Sequence, residues 1–273
     1  MLIAIDNIFA YDFLTNAFVA CVLSGITCGI VGSYIVARRM VFLSSGITHA
    51  SFGGLGIALY AGIDPLLGAL AFASLSSLGI EYSSRQGRIR EDSAIGIIWS
   101  VGMAIGALFM SLRPGYATDL TSYLFGNILL VTRTDIVWLA VLTFFMVVGA
   151  VVWLRKLMYI TFDEDYAQSQ GIRVALVAYI MAIVIALTIV MSIKVMGIIL
   201  LLSLITIPVV IANTLTRDYR YIAVLSSVIA VVGNIVGFVL SYEFDLPTGS
   251  CIIFILVSLL VVVKCFKMCR LRR

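Results

Sequence analysis

Nine apolar runs separated by clusters of charged residues limit what this chain can become: they lie near 12–37, 41–62, 66–82, 94–112, 135–154, 174–192, 195–213, 221–240 and 248–264. Crossing roughly 30 Å of hydrocarbon takes about 20 residues of α-helix, and a backbone in lipid must satisfy its own hydrogen bonds, so runs of this length read as transmembrane helices. A soluble fold cannot hide them, because 62% of the 273 residues are hydrophobic, only 12% are charged, and the mean hydropathy is +1.15. The fold class expected is all-α, a polytopic membrane helix bundle of nine transmembrane helices forming a single transmembrane domain over 1–273.

An odd number of crossings puts the termini on opposite sides, and the basic residues choose which side is which. With the N-terminus outside and the C-terminus cytoplasmic, Arg38, Arg39, Arg85, Arg88, Arg90, Arg155, Lys156, Arg173, Arg217, Arg220, Lys264, Lys267, Arg270, Arg272 and Arg273 fall inside. Arg113, Arg133 and Lys194 fall outside, which is the asymmetry of the positive-inside rule. The net charge of +4 then reflects orientation in a lipid bilayer and gives no reason to expect nucleic acid as a partner. Met1 to Ala10 carries Asp6 and no basic segment, unlike a cleaved signal, so the first span is expected to persist. The stretch 113–134 is expected to be external and non-spanning, with Leu120 to Val131 apolar enough for a short surface helix. Gly46, Gly53, Gly54 and Gly56 crowd the second run and would weaken a helix unless neighbouring backbones approach closely there.

The ionisable residues are informative by depth. Asp6, Asp12, Asp64, Asp119, Asp135, Glu243 and Asp245 group outside, where they would raise the local cation concentration. Glu81, Glu91, Asp92, Asp163, Glu164, Asp165 and Asp218 group inside or at that boundary. No carboxylate falls mid-membrane, which argues against a proton-coupled carrier. The single histidine, His49, does: it lies about eight residues into the second run, roughly 12 Å from the cytoplasmic end at 1.5 Å per residue. An ionisable group at that depth marks a functional site by default, and imidazole is a common ligand for first-row divalent metals.

Catalysis finds no foothold. The chain has no GxxxxGK[ST] loop, no HExxH and no second histidine to activate a nucleophile, so it is not expected to be an enzyme. If ATP drives it, an ATP-binding subunit must dock on the cytoplasmic face. Two internal segments are long enough to receive one: 155–173, with its acidic cluster at Asp163 to Asp165, and 213–220, where Ala212 to Asp218 read as a short polar helix after Pro208. The cysteines at 21, 28, 251, 265 and 269 form no CxxC pair and read as helix packing rather than a zinc or disulfide framework.

Five ordered blocks, RRMVFLSSGITHASFGG at 38–54, SYLFGNILLVTRTD at 122–135, FDEDYAQSQG at 162–171, KVMGIILLLSLITIPVVIAN at 194–213 and FDLPTGSCI at 244–252, resemble the permease subunit of ABC-type manganese, zinc and iron chelate transporters, the ABC-3 family. The resemblance implies a multi-pass permease of the bacterial plasma membrane. It implies two permease copies, as a homodimer or with a similar chain, above two ATP-binding subunits. An extracytoplasmic metal-binding protein would deliver the ion. No cofactor is bound covalently; the divalent metal is cargo, and ATP is used by the partner. The family's path has an acidic residue four positions before the histidine, where this chain has Ser45. Zinc-type members carry a further histidine where this chain has Ser100. The metal pathway implied is thus His49 as ligand with Ser45 and Ser100 at the matching positions; Asp64, from the outer acidic group, is placed at its mouth by charge alone. The segment after the proline, Ile207 to Arg220, is implied to be the helix seated in the ATPase, with Pro208, Ala212, Asn213, Thr216, Arg217 and Asp218 as coupling residues. The rivals are a permease for a metal chelate, siderophore or corrinoid, and a secondary metal carrier that needs no ATPase.

Overall fold

The computed structural model describes residues 11–87, 89–112 and 128–271. Among them, nine helices are long and apolar enough to cross a membrane. In chain order the helices are α1 (Asp12–Ala37), α2 (Val41–Ala61), α3 (Pro65–Arg85), α4 (Glu91–Ser111), α5 (Arg133–Phe162), the short α6 (Glu164–Ser169), α7 (Val174–Met196), α8 (Ile198–Leu215), α9 (Tyr219–Phe244) and α10 (Thr248–Leu271). A 3-10 turn at Ile128–Leu130 precedes α5. The surface helix expected around Leu120 to Val131 falls largely outside the described residues.

The expected runs and the helices differ mainly at their ends. α5 has 30 residues and carries Arg155 and Lys156 within the helix rather than in a loop. At about 1.5 Å per residue it spans roughly 45 Å, longer than the hydrocarbon it has to cross. Lys194 lies in the last turn of α7, where its Nζ donates to Asp135 Oδ1 at 2.6 Å. The break between α7 and α8 falls three residues later, at Gly197, whose φ of +78° suits glycine alone. α10 continues beyond its apolar run to Leu271.

The chain divides into two compact units. Unit 1 comprises Met1–Arg39, Thr121–Phe162 and Lys194–Arg273; unit 2 comprises Met40–Leu120 and Asp163–Ile193. In unit 1, α1 packs along α9 through small residues. A Cβ on Gly29 would collide with the backbone of Ser227, and one on Gly25 would lie 2.9 Å from Val231 Cα. With the backbones that close, Ser226 Oγ donates to the Gly29 carbonyl at 3.0 Å and Asn234 Nδ2 to the Cys21 carbonyl at 2.9 Å. The hydroxyls of Thr27 and Thr143 meet at 2.9 Å between α1 and α5. In lipid, where apolar burial drives little helix association, such close packing and interhelical hydrogen bonding hold helices together.

Unit 2 repeats the device with more glycine. Gly54 of α2 abuts the carbonyl of Gly68 on α3, while Gly53 and Gly56 face Gly102 and Gly106 of α4. A Cβ on Gly102 would lie 2.6 Å from Ala50 Cα. The glycines that weaken α2 by propensity are therefore its contact face. Ser77 Oγ donates to the Ala182 carbonyl at 2.8 Å, fastening α3 to α7. Elsewhere large apolar side chains point outward, Phe144, Phe145 and Val151 of α5 and Phe254 and Val262 of α10 among them. In water such faces would aggregate; facing lipid they are at home.

Candidate functional site

The glycine contacts of unit 2 place His49. Gly46, Ala50 and Gly53 recur at helical spacing along one face of α2, and Ile95, Gly102 and Gly106 do so along α4. Between the Gly46–Ile95 and Ala50–Gly102 contacts the helices leave room for two flat rings. His49 and Trp99 fill it, with centroids 4.4 Å apart and planes within 1° of parallel. His49 is half-buried, and its Nδ1 is buried with no hydrogen-bond partner among the described residues. A buried polar nitrogen left unpaired typically costs about 1–3 kcal/mol. The orphaned atom is thus poised to gain from a ligand, and a metal ion suits imidazole nitrogen.

Ser45 stands one turn before His49 on α2 and is half-buried, so the two share a helix face. Ser100 is exposed, and its hydroxyl donates back to the Gly96 carbonyl at 2.9 Å. On α4 it is the preceding residue, Trp99, that meets the imidazole. Trp99 lies within the same DSAIGIIWSVG stretch, but nothing in the sequence distinguishes it from the tryptophans that anchor membrane helices elsewhere.

Asp64 is not near His49. It is exposed and caps α3, accepting the Leu66 amide at 2.7 Å just after α2 ends at Gly62 (φ +71°). Fifteen residues of chain separate it from His49, and α2 alone puts roughly 18 Å between His49 and its own end. Among the described residues no three His, Cys, Asp or Glu side chains gather in a metal-binding group. A cavity of about 570 Å³ lies in unit 1, walled by Phe13, Leu14, Met196, Phe238 and Ile253 with Asp245 at its edge. Its walls present no imidazole or thiol, so it is a poor candidate for a transition-metal site.

The internal segments depart from expectation. Pro208 and Ala212 are buried inside α8, which runs on to Leu215, and Thr216–Asp218 form only a short connection before α9. No separate polar helix stands at 213–220. Thr216 has extended backbone and Asp218 caps α9 by accepting the Arg220 amide at 2.9 Å, so both polar side chains serve the turn. Asn213 and Arg217 are exposed there. The short helix between spans is α6, in the other segment. Asp163 caps it by accepting the Tyr166 amide at 2.9 Å, and Gly171 (φ +75°) ends the turn that follows. Ala167 is fully buried while Tyr166 stays 46% exposed, so α6 has a seated face and a presented one. Arg85 of α3 holds Glu81 at 2.6 Å and reaches Glu164 of α6 at 3.5 Å.

Comparison with known proteins resolves the family. The model described as "ABC 3 transport family" matches residues 10–267. The chain belongs to the ABC 3 transport family. This ABC 3 chain is 36% identical over 255 residues to the uncharacterized membrane protein slr2045 of Synechocystis, covering 93% of this chain and 91% of that one. It is 32% identical over 251 residues to the manganese transport system membrane protein MntC of Halalkalibacterium halodurans, covering 92% and 86%. Among solved structures, PsaBC from Streptococcus pneumoniae in complex with Fab superposes with a TM-score of 0.85 at 28% identity, covering 96% of this chain and 95% of that one. The nine apolar helices are those of an ABC 3 permease subunit, a multi-pass membrane protein that is not itself an enzyme; ATP hydrolysis belongs to a separate subunit.

Proposed function

We propose that this chain is the membrane-spanning permease of an ATP-driven importer that carries a divalent transition metal into the cytoplasm, with His49 as a ligand along the path. The observation that carries the reading is the unpartnered, buried Nδ1 of His49, the chain's one histidine, halfway along a membrane-spanning helix. The similarity to MntC, a manganese transport system membrane protein, supports the substrate class. A single imidazole with a serine one turn away makes a weak site, and weakness suits a path, since an ion bound too firmly does not leave. Ser45 and Ser100 contribute oxygen or water-mediated contacts at most, and Asp64 acts earlier, by drawing cations to the outer mouth.

The whole chain acts as one permease domain with its N-terminus outside, paired with a second permease copy. An extracytoplasmic metal-binding protein supplies the ion, and ATP-binding subunits dock on the cytoplasmic side. Two exposed features are offered to them: the α6 helix with Tyr166, and the α8–α9 turn with Asn213, Thr216, Arg217 and Asp218. Pro208 and Ala212 act by fixing the end of α8 behind that turn. The test is ATP-dependent uptake of zinc, manganese and iron into vesicles holding this chain with its ATP-binding and metal-binding partners. Saturable uptake of a free ion, lost in His49→Ala without loss of membrane insertion, supports the reading. Uptake of an intact chelate only, or normal ion uptake by His49→Ala, overturns it.

A further inference from the structure

The inner end of α10 carries three sulfur atoms that the transport path does not use. Cys265, Met268 and Cys269 stand at i, i+3 and i+4 on one helix, within about 100° of arc at 100° per residue. Both cysteines are free and exposed, and Met268 is 61% exposed. By contrast Cys21 and Cys28 are fully buried in α1.

Packing fixes where this arc points. α10 meets its unit along Ile252 and Leu256, which are fully buried, and the same stripe continues at helical spacing to Lys267, whose Nζ donates to the Thr214 carbonyl of α8 at 2.6 Å. Cys265 and Cys269 each lie roughly 160° around the helix from Lys267. The two thiols therefore face away from the unit, with Met268 about 100° from Lys267 on the flank. They also lie at the edge of the hydrocarbon or beyond it, since about 20 residues of helix from Thr248 reach Lys267.

We infer that Cys265 and Cys269, assisted by Met268, form a binding site for a thiophilic metal ion of the zinc class at the inner end of α10. Two ligands at i and i+4 on a helix can share one ion, as the paired histidines of HExxH do. Thiolate and thioether donors select zinc-like and softer ions over manganese or magnesium. Binding releases one proton from each thiol as two sulfur–metal bonds form, so one divalent ion replaces two protons. The charge of the site is unchanged, and the flanking Lys264 and Lys267 do not oppose it. The site is independent of His49; only its place on the inner side of the membrane rests on the orientation proposed above.

The experiment uses the full-length chain purified in detergent and titrated with Co²⁺ as an optical probe. A sulfur-to-cobalt charge-transfer band is expected to saturate at one ion per chain, to be displaced by Zn²⁺ and not by Mn²⁺, and to persist in His49→Ala. It is expected to be lost in Cys265→Ser and in Cys269→Ser, each of which should still elute as a monodisperse species. Absence of a band in the wild-type chain, or a band that survives in the double serine variant and so belongs to Cys21, Cys28 or Cys251, overturns the assignment.

Discussion

The imidazole of His49 stacks on the indole of Trp99, 4.4 Å between centroids and 1° from parallel. The stack orients the ring that carries the orphaned Nδ1, and the indole closes one side of it. Aromatic pairs of this kind contribute about 0.5–1.5 kcal/mol beyond the area they bury. Trp99→Ala should therefore lower metal uptake several-fold while leaving membrane insertion intact, and Trp99→Phe should restore most of it. Uptake rates in vesicles decide this; equal rates for all three chains would show that the stack only fills space.

Ser45 shares a face of α2 with His49 one turn away. A carboxylate there would add a charged oxygen ligand within reach of an ion held by the imidazole. Ser45→Asp should tighten ion binding and slow release, seen as a lower KM and a lower maximal uptake rate. An unchanged pair of constants would mean that position 45 faces helix packing.

The glycine contacts of unit 2 make opposite forecasts for chemically identical changes. Gly102→Ala pushes a methyl to within 2.6 Å of Ala50 Cα and should destabilise by about 1–3 kcal/mol, the usual cost of overpacking. Gly96→Ala on the same helix meets nothing within 4 Å and should be neutral or stabilising by up to about 1 kcal/mol through helix propensity. Thermal unfolding of the two variants in detergent separates them.

Two features are exposed at the expected cytoplasmic ends, and they can be weighed against each other. α6 is a capped helix whose Ala167 is buried, whereas in the Thr216–Asp218 turn the Thr216 and Asp218 side chains are engaged by backbone amides. Tyr166→Ala should reduce co-purification of the ATP-binding subunit more than Arg217→Glu does. The reverse order would return the main docking role to the α8–α9 turn.

Every spanning helix was legible in the chain, because insertion into lipid depends on apolar content summed over about 20 residues, a one-dimensional property. His49 was legible for the same reason, since an ionisable group is conspicuous against such a background. The blocks at 38–54 and 194–213 pointed to the family that the comparison then showed. Helix ends were less legible: Lys194 and Arg155 are polar, yet a helix long enough to pass the hydrocarbon keeps them in register. The short internal helix was expected after Pro208 and stands instead at Glu164–Ser169, because Asp163 and Gly171 supply a start and a stop while α8 continues unbroken past its proline. Tertiary structure alone decided what each helix face meets. That Trp99 rather than Ser100 touches His49 and that Cys265 and Cys269 look away from their unit both depend on rotation about helix axes, whereas Asp64 caps α3 through a contact two residues along the chain. Hydropathy is nearly uniform around such helices, so the rotation is set by where glycine backbones can approach and which side chains then meet.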